Sequence, residues 1–188
     1  ARDIEGAPLD FVGNDGVMAF KLVTEHLICQ GHKRIAMIGG GQQTTASTRR
    51  RAGFYTSLKA HDISLDASLV IDCETTPGGG EAAIAEIMKY SDPPTAVVCF
   101  ADLVALGVLS GLHHMNYVPG KDLAVVSCDD IEEASRGYVQ LTTARIQKSE
   151  IGRRAAEMLL ERMAEPSLPP RKILLEPELI VRRTCGSG

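Results

Sequence analysis

Three polar residues carry the side chains best suited to hold a small polar ligand: Arg50, Asp102 and Asp129. An arginine offers a rigid fork of donors that fits hydroxyls, carboxylates or phosphates. An aspartate carboxylate accepts hydrogen bonds from two neighbouring hydroxyls of a sugar. Each residue also has a plainer reading. Arg49-Arg50-Arg51 is what a solvated helix face looks like. Asp129, in Cys128-Asp129-Asp130, suits a turn in which a short carboxylate binds nearby amides, and Asp130 is read as serving that turn. Asp102 opens a helical run and fits its N-cap. Thr75 and Thr76 add hydroxyls, and Phe100 adds a ring that can stack on a ligand or close a buried strand end.

What must position these residues is a set of short apolar runs, each opening into an amphipathic stretch. Arg34-Gly40, Leu69-Cys73, Thr95-Phe100 and Asp122-Asp129 read as buried strands. Helices are expected over 15–30, 47–61, 81–90, 102–115 and 150–164. Further strands are expected at 9–12, 141–146, 173–176 and 179–182, the last two split by Pro177. Strand-then-helix alternation implies a parallel sheet covered by helices on both faces, a three-layer α/β/α arrangement, because parallel strands need a crossover to return. In such sheets ligands bind beyond the carboxyl ends of the strands, which is where Arg50, Thr75, Phe100, Ala101, Asp102 and Asp129 fall. Pro77-Gly78-Gly79-Gly80 is expected as a turn, and the helix over 102–115 carries leucines on more than one face, which predicts burial on two sides.

Composition narrows the class. A chain of 188 residues with 44% hydrophobic content can bury a substantial core. The net charge of −4 supplies no footprint for nucleic acid, so any DNA contact must come from elsewhere. Five cysteines without a C-x-x-C pair favour reduced thiols and a cytoplasmic address. No apolar run has the ~18 residues of a membrane span. Gly39-Gly40-Gly41 and Gly78-Gly79-Gly80 match neither phosphate-binding glycine pattern. Adjacent His113 and His114 cannot share a metal as an i, i+4 pair does. No nucleophile motif is present, so the chain reads as a non-enzyme that needs no cofactor or metal.

Three stretches together resemble the LacI/GalR family of bacterial transcription regulators. They are Val12-Gly13-Asn14-Asp15 with Thr24-Glu25-His26-Leu27-Ile28 and Gly31-His32-Lys33-Arg34-Ile35-Ala36; Pro94 to Asp102 with Ala105-Leu106-Gly107; and Val125 to Asp130 with Leu141-Thr142-Thr143 and Glu150 to Ala156. The resemblance implies the two-lobed, periplasmic-binding-protein-like (type I) fold, with a small carbohydrate-like effector held between lobes. It implies that Asp129 and Arg50 contact the effector, Arg50 by its spacing to Gly53-Phe54. Asp102 matches the second residue of an Asn-Asp pair, but Ala101 replaces the Asn and offers only its backbone. Either the effector differs from a hydroxyl-rich sugar, or Thr75, Thr76 and Phe100 compensate, or sensing has weakened.

The family's headpiece, hinge and opening first-lobe units have no counterpart here. The chain is therefore expected to hold the carboxyl-proximal lobe at 1–140, a strand and helix at 141–166 that return to the absent first lobe, and final strands and tail at 167–188. Operator DNA would be reached only through the absent headpiece. The stripe of Ile151, Ala155, Met158 and Leu159 would lack its usual partner and seek another surface. A homodimer is implied, with the 103–112 helix and the 131–136 region as candidate contacts. A solute-binding protein of a transport system and a small α/β enzyme are the alternatives.

Overall fold

Continuous apolar runs of four to six residues cannot leave either face in water, and in the computed structural model they form the centre of a sheet buried on both sides. The structure describes residues 8–41, 44–136 and 140–186; residues 1–7, 42–43, 137–139 and 187–188 lie outside the described residues. The strands are β1 (Phe11–Asn14), β2 (Ile35–Ile38), β3 (Val70–Ile71), β4 (Ala96–Cys99), β5 (Ala124–Asp129), β6 (Thr142–Arg145), β7 (Lys172–Leu175) and β8 (Glu178–Ile180). The helices are α1 (Gly16–Cys29), α2 (Thr45–Ala60), α3 (Pro77–Ile87), α4 (Asp102–His114), α5 (Glu132–Arg136) and α6 (Lys148–Ala164).

Six strands form one sheet in the order β3-β2-β4-β5-β6-β8, parallel except for β8 at the edge. The two-residue alternation of each strand divides the core. Ala36, Ile38, Val97, Cys99 and Val125 pack on the face covered by α3 and α4. Met37, Val98, Val126, Cys128 and Ala144 pack on the other, with Phe20, Val23 and Leu27 of α1 and Phe54 and Leu58 of α2. The parallel α/β/α layering expected from the sequence is thus present.

Local chemistry sets the helix starts. Asp15 accepts from the Val17 and Met18 amides at 3.0 and 3.1 Å, Thr44 from Ser47 at 3.1 Å and Thr76 from Gly79 at 3.1 Å. The Pro77-Gly80 stretch is helix, not turn: with Thr76 as cap and Pro77 at the first position, it forms the opening turn of α3. Glycine persists there because α3 and α4 approach closely. A Cβ on Gly80 would collide with the Val104 carbonyl, and one on Gly107 with the Pro77 carbonyl. This packing supplies the two-sided burial of α4 from within the chain.

Two further expectations are corrected. Residues 141–146 do not return to another lobe, since β6 lies inside the six-stranded sheet between β5 and β8 and only α6 departs. The first strand, expected at 9–12, begins later and pairs in parallel with β7, apart from the main sheet. The chain therefore passes three times between the main sheet and a small β1–β7–α6 unit, near Asp15, near Gln147 and near Pro177. On α6, Met158 is 4% exposed and Arg162 holds Asp10 at 3.0 Å, whereas Leu159, Leu160 and Met163 face solvent. Among the described residues no helix is long and apolar enough to cross a membrane.

Candidate functional site

Parallel strands bring their carboxyl ends to one edge, and that edge collects residues far apart in sequence. Arg50, on the second turn of α2, reaches across the ends of β4 and β5. Its Nη2 donates to Asp129 Oδ1 at 2.9 Å and its Nη1 to the Phe100 carbonyl. Its guanidinium lies 4.6 Å from the Phe100 ring centroid and 5.7 Å from that of Phe20. The arginine side chain is 9% exposed and that of Asp129 26%, so the pair is sheltered yet open on the carboxylate side. Burial opposes the charge on Arg50, but the acidic groups around it, Asp129 among them, outweigh that cost. Burial also pushes the Cys128 thiol up to about 12, which leaves it neutral beside the pair.

The triple-glycine run explains how Phe100 fits beneath Arg50. Gly39 and Gly40 have φ of +100° and +82°, and a Cβ on either would come within 2.7 Å of Phe100. The glycines thus seat an aromatic ring instead of a phosphate. Ser47 donates to the Gly40 carbonyl, which ties the start of α2 to this turn.

The remaining predicted residues occupy the same edge in different roles. Asp102 is not the N-cap of α4: Ala101 holds that position with no side-chain bond, and Asp102 is the first helical residue. Its carboxylate is fully buried, accepting from the Ile131 amide at 2.9 Å and from the Thr143 hydroxyl at 2.7 Å, so it clamps the turn after β5 to β6. Burial pushes its pKa up against these two bonds. Ala101 is 5% exposed. Thr75 is half-buried beyond β3, and its neighbour Thr76 is committed to the α3 cap. Asp130 does more than serve a turn: it pairs with Arg145 and Arg182, each at 2.7 Å. Burial works against its ionisation, yet the two guanidiniums outweigh this and hold the carboxyl below the usual range.

Phe20, Arg51, Arg145 and Arg182 join this edge without being predicted by sequence reasoning. Arg51 pairs with Asp72 at the end of β3, and the triple-arginine run is its signal. Nothing local marks Phe20, Arg145 or Arg182, because their partners are brought in by the sheet. At another place His26 Nε2 lies 3.3 Å from Cys185 Sγ, a meeting with no local signature; the thiol is 2% exposed and also receives the Thr142 hydroxyl.

A doubly covered parallel sheet with a sheltered Arg–Asp pair at its carboxyl edge is the arrangement in which open α/β domains characteristically offer a ligand crevice. Residues 24–185 match the family described as the periplasmic binding protein-like domain. An HTH-type transcriptional repressor PurR of Vibrio vulnificus is 34% identical over 163 residues, 87% of this chain and 49% of that protein. A LacI transcriptional regulator from Bacillus cereus subsp. cytotoxis superposes with a TM-score of 0.89 at 32% identity, covering 94% of this chain and 62% of the other. The transcriptional regulator CelR, solved as a complex with cellobiose, superposes with a TM-score of 0.88 at 29% identity, covering 94% and 54%. The chain belongs to the periplasmic-binding-protein-like domain family, within which it is an effector-binding domain of the LacI type. It spans about half the length of the curated relatives it matches.

Proposed function

We propose that this chain is the effector-sensing and dimerising part of a cytoplasmic one-component transcription repressor, and that it takes a small carbohydrate-like molecule at the edge built by Arg50 and Asp129. The observation that carries the reading is the Arg50–Asp129 pair, in which one carboxylate oxygen is held by the guanidinium and the side chain remains a quarter exposed. A carboxylate fixed in this way is pre-organised to accept hydroxyls without a further ordering cost. Phe100, Ala101, Thr75 and the main chain around Asp102 line the same edge. The cellobiose complex of CelR and the repressor relatives favour this reading over a transport protein. Ligand binding would act by favouring one arrangement of the main sheet relative to the β1–β7–α6 side, which requires different affinities for the two arrangements. Operator DNA would be contacted by a separate headpiece.

An NMR-detected titration of this chain with sugars and sugar phosphates, cellobiose included, tests the site. Saturable shifts centred on Asp129, Phe100 and Arg50 are expected, and Asp129→Ala should weaken them at least tenfold, the loss of roughly 1.4 kcal/mol or more for a hydrogen bond to a charged group. Shifts that survive Asp129→Ala undiminished would place the ligand elsewhere.

The same reading includes a homodimer through the outer stripe of α4. Leu103 is 45% exposed, and Leu106 and Ser110 continue its face at helical spacing while Val104, Val108 and Leu112 are buried inward. In the 131–136 region Ala134 is buried and Ile131 packs inward, which leaves mainly charged residues outside. Sedimentation should show a concentration-dependent dimer that Leu103→Glu converts to monomer; equal association of the two proteins would remove α4 from the interface.

A further inference from the structure

Asp129 and Asp130 are consecutive residues at positive φ, +128° and +48°. Side chains other than glycine avoid this region, and it persists only where the surroundings over-determine it. Three acidic side chains and their partners do so here. Ahead of the turn, Arg50 takes Asp129; behind it, Asp102 accepts the Ile131 amide at 2.9 Å. Between them the Asp130 carboxylate, its side chain 10% exposed, receives Arg145 Nε and Arg182 Nη2, both at 2.7 Å.

The second set of partners leads to the passages between the two parts of the chain. Arg145 ends β6 and faces Glu178, the first residue of β8, in register, with an ion pair at 3.2 Å. One residue beyond Arg145 the chain leaves for α6, and two residues before Glu178 it returns from β7. Gln147 Nε2 donates to the Glu176 carbonyl at 2.9 Å, lacing these two crossings together. Lys148, the first residue of α6, brings its Nζ within 3.4 Å of the Asp130 carbonyl. Adjacent carboxylates thus engage the candidate ligand edge on one side and the crossings on the other.

We propose that Asp130 is a positioning residue that couples the Arg50–Asp129 edge to the crossings at residues 145–148 and 176–178. A change in what Asp129 holds alters the strained Asp129–Asp130 backbone, and the Asp130–Arg145 and Asp130–Arg182 pairs pass that change to β6, β8 and the start of α6. The trigger rests on the ligand reading above, whereas the wiring does not, so the wiring is tested without ligand. A shared network shows itself as non-additivity between its members.

Amide hydrogen exchange of the whole chain, read by NMR, compares wild type, Asp129→Asn, Asp130→Asn and the double variant. The reporters are the Lys148 amide, bonded to the Ile146 carbonyl at 2.8 Å, and the Arg182 amide, bonded to the Thr142 hydroxyl at 2.8 Å. Asp130→Asn should speed their exchange about tenfold, and Asp129→Asn about threefold with Asp130 intact and not at all in its absence. Unchanged exchange at Val97 and Val98 certifies the fold. Should Asp130→Asn fail to fold, Arg145→Gln removes the same link from the other end and should likewise abolish the Asp129→Asn effect. The same factor from Asp129→Asn in both backgrounds, or none with Asp130 intact, overturns the proposal. A silent sugar titration beside a positive exchange cycle would sink the ligand reading alone.

Discussion

Arg50→Ala should destabilise this chain by about 3 kcal/mol, toward the lower end of the 3–5 kcal/mol seen when one partner of a buried ion pair is removed. The lower end applies because Asp129 is 26% exposed and regains water on losing its partner. The rest of the loss has identified origins. The Phe100 carbonyl loses a charged donor, and the face of Phe100 loses a cation 4.6 Å from its centroid. Urea unfolding monitored by circular dichroism measures the loss, and a change below about 1 kcal/mol would mean that the arginine is solvated and not a keystone of the edge. Arg50→Lys separates charge from shape. An ammonium keeps the charge but lacks the planar fork that serves Asp129 and Phe100 together, so this variant should lie between wild type and alanine.

Gly107→Ala is the second substitution with a large expected effect, and its sign runs against helix propensity. Alanine in a helix interior is ordinarily worth about 1 kcal/mol over glycine. At residue 107 the added methyl would meet the Pro77 carbonyl and carbon, and that backbone is fixed by the Thr76 cap and the opening turn of α3. Overpacking against backbone costs about 1–3 kcal/mol; with no flexible side chain to yield, the upper end applies, and after the propensity gain a net loss of about 2 kcal/mol is expected. Gly152 provides the control. It lies in α6 with nothing within 4 Å of where an added methyl would sit, so Gly152→Ala should stabilise by up to about 1 kcal/mol. Two glycine-to-alanine changes of opposite sign, read by the same urea midpoints, would establish that α3 and α4 touch through their backbones. Two changes of the same sign would contradict that contact.

The main-sheet strands and their helices are legible in the sequence because their signals are local. Four apolar residues buried on both faces leave a run with no polar break, as at Ile35–Ile38 and Ala96–Cys99, and 3.6-residue periodicity marks α1 and α6 without reference to any partner. The expectation that Arg50, Thr75, Phe100, Ala101, Asp102 and Asp129 gather at one edge follows from the same logic, since a parallel sheet puts every strand's carboxyl end on one side. What the sequence could not decide is which residues touch once they are there. Arg50 and Asp129 lie 79 residues apart and Asp102 and Thr143 lie 41 apart, and no local pattern encodes such distances. Partner choice among strands is likewise undetermined. β7 and β8 are similar short runs flanking Pro177, yet one pairs with β1 and the other with β6, because the chain crosses between two units at that point. Pro77-Gly80 has the composition of a turn yet forms the capped first turn of α3, and its glycine at residue 80 answers a tertiary demand, since only glycine lets α3 approach the Val104 carbonyl of α4. Composition and period write the elements; contacts between backbones and between distant charges, which exist only after folding, write the site.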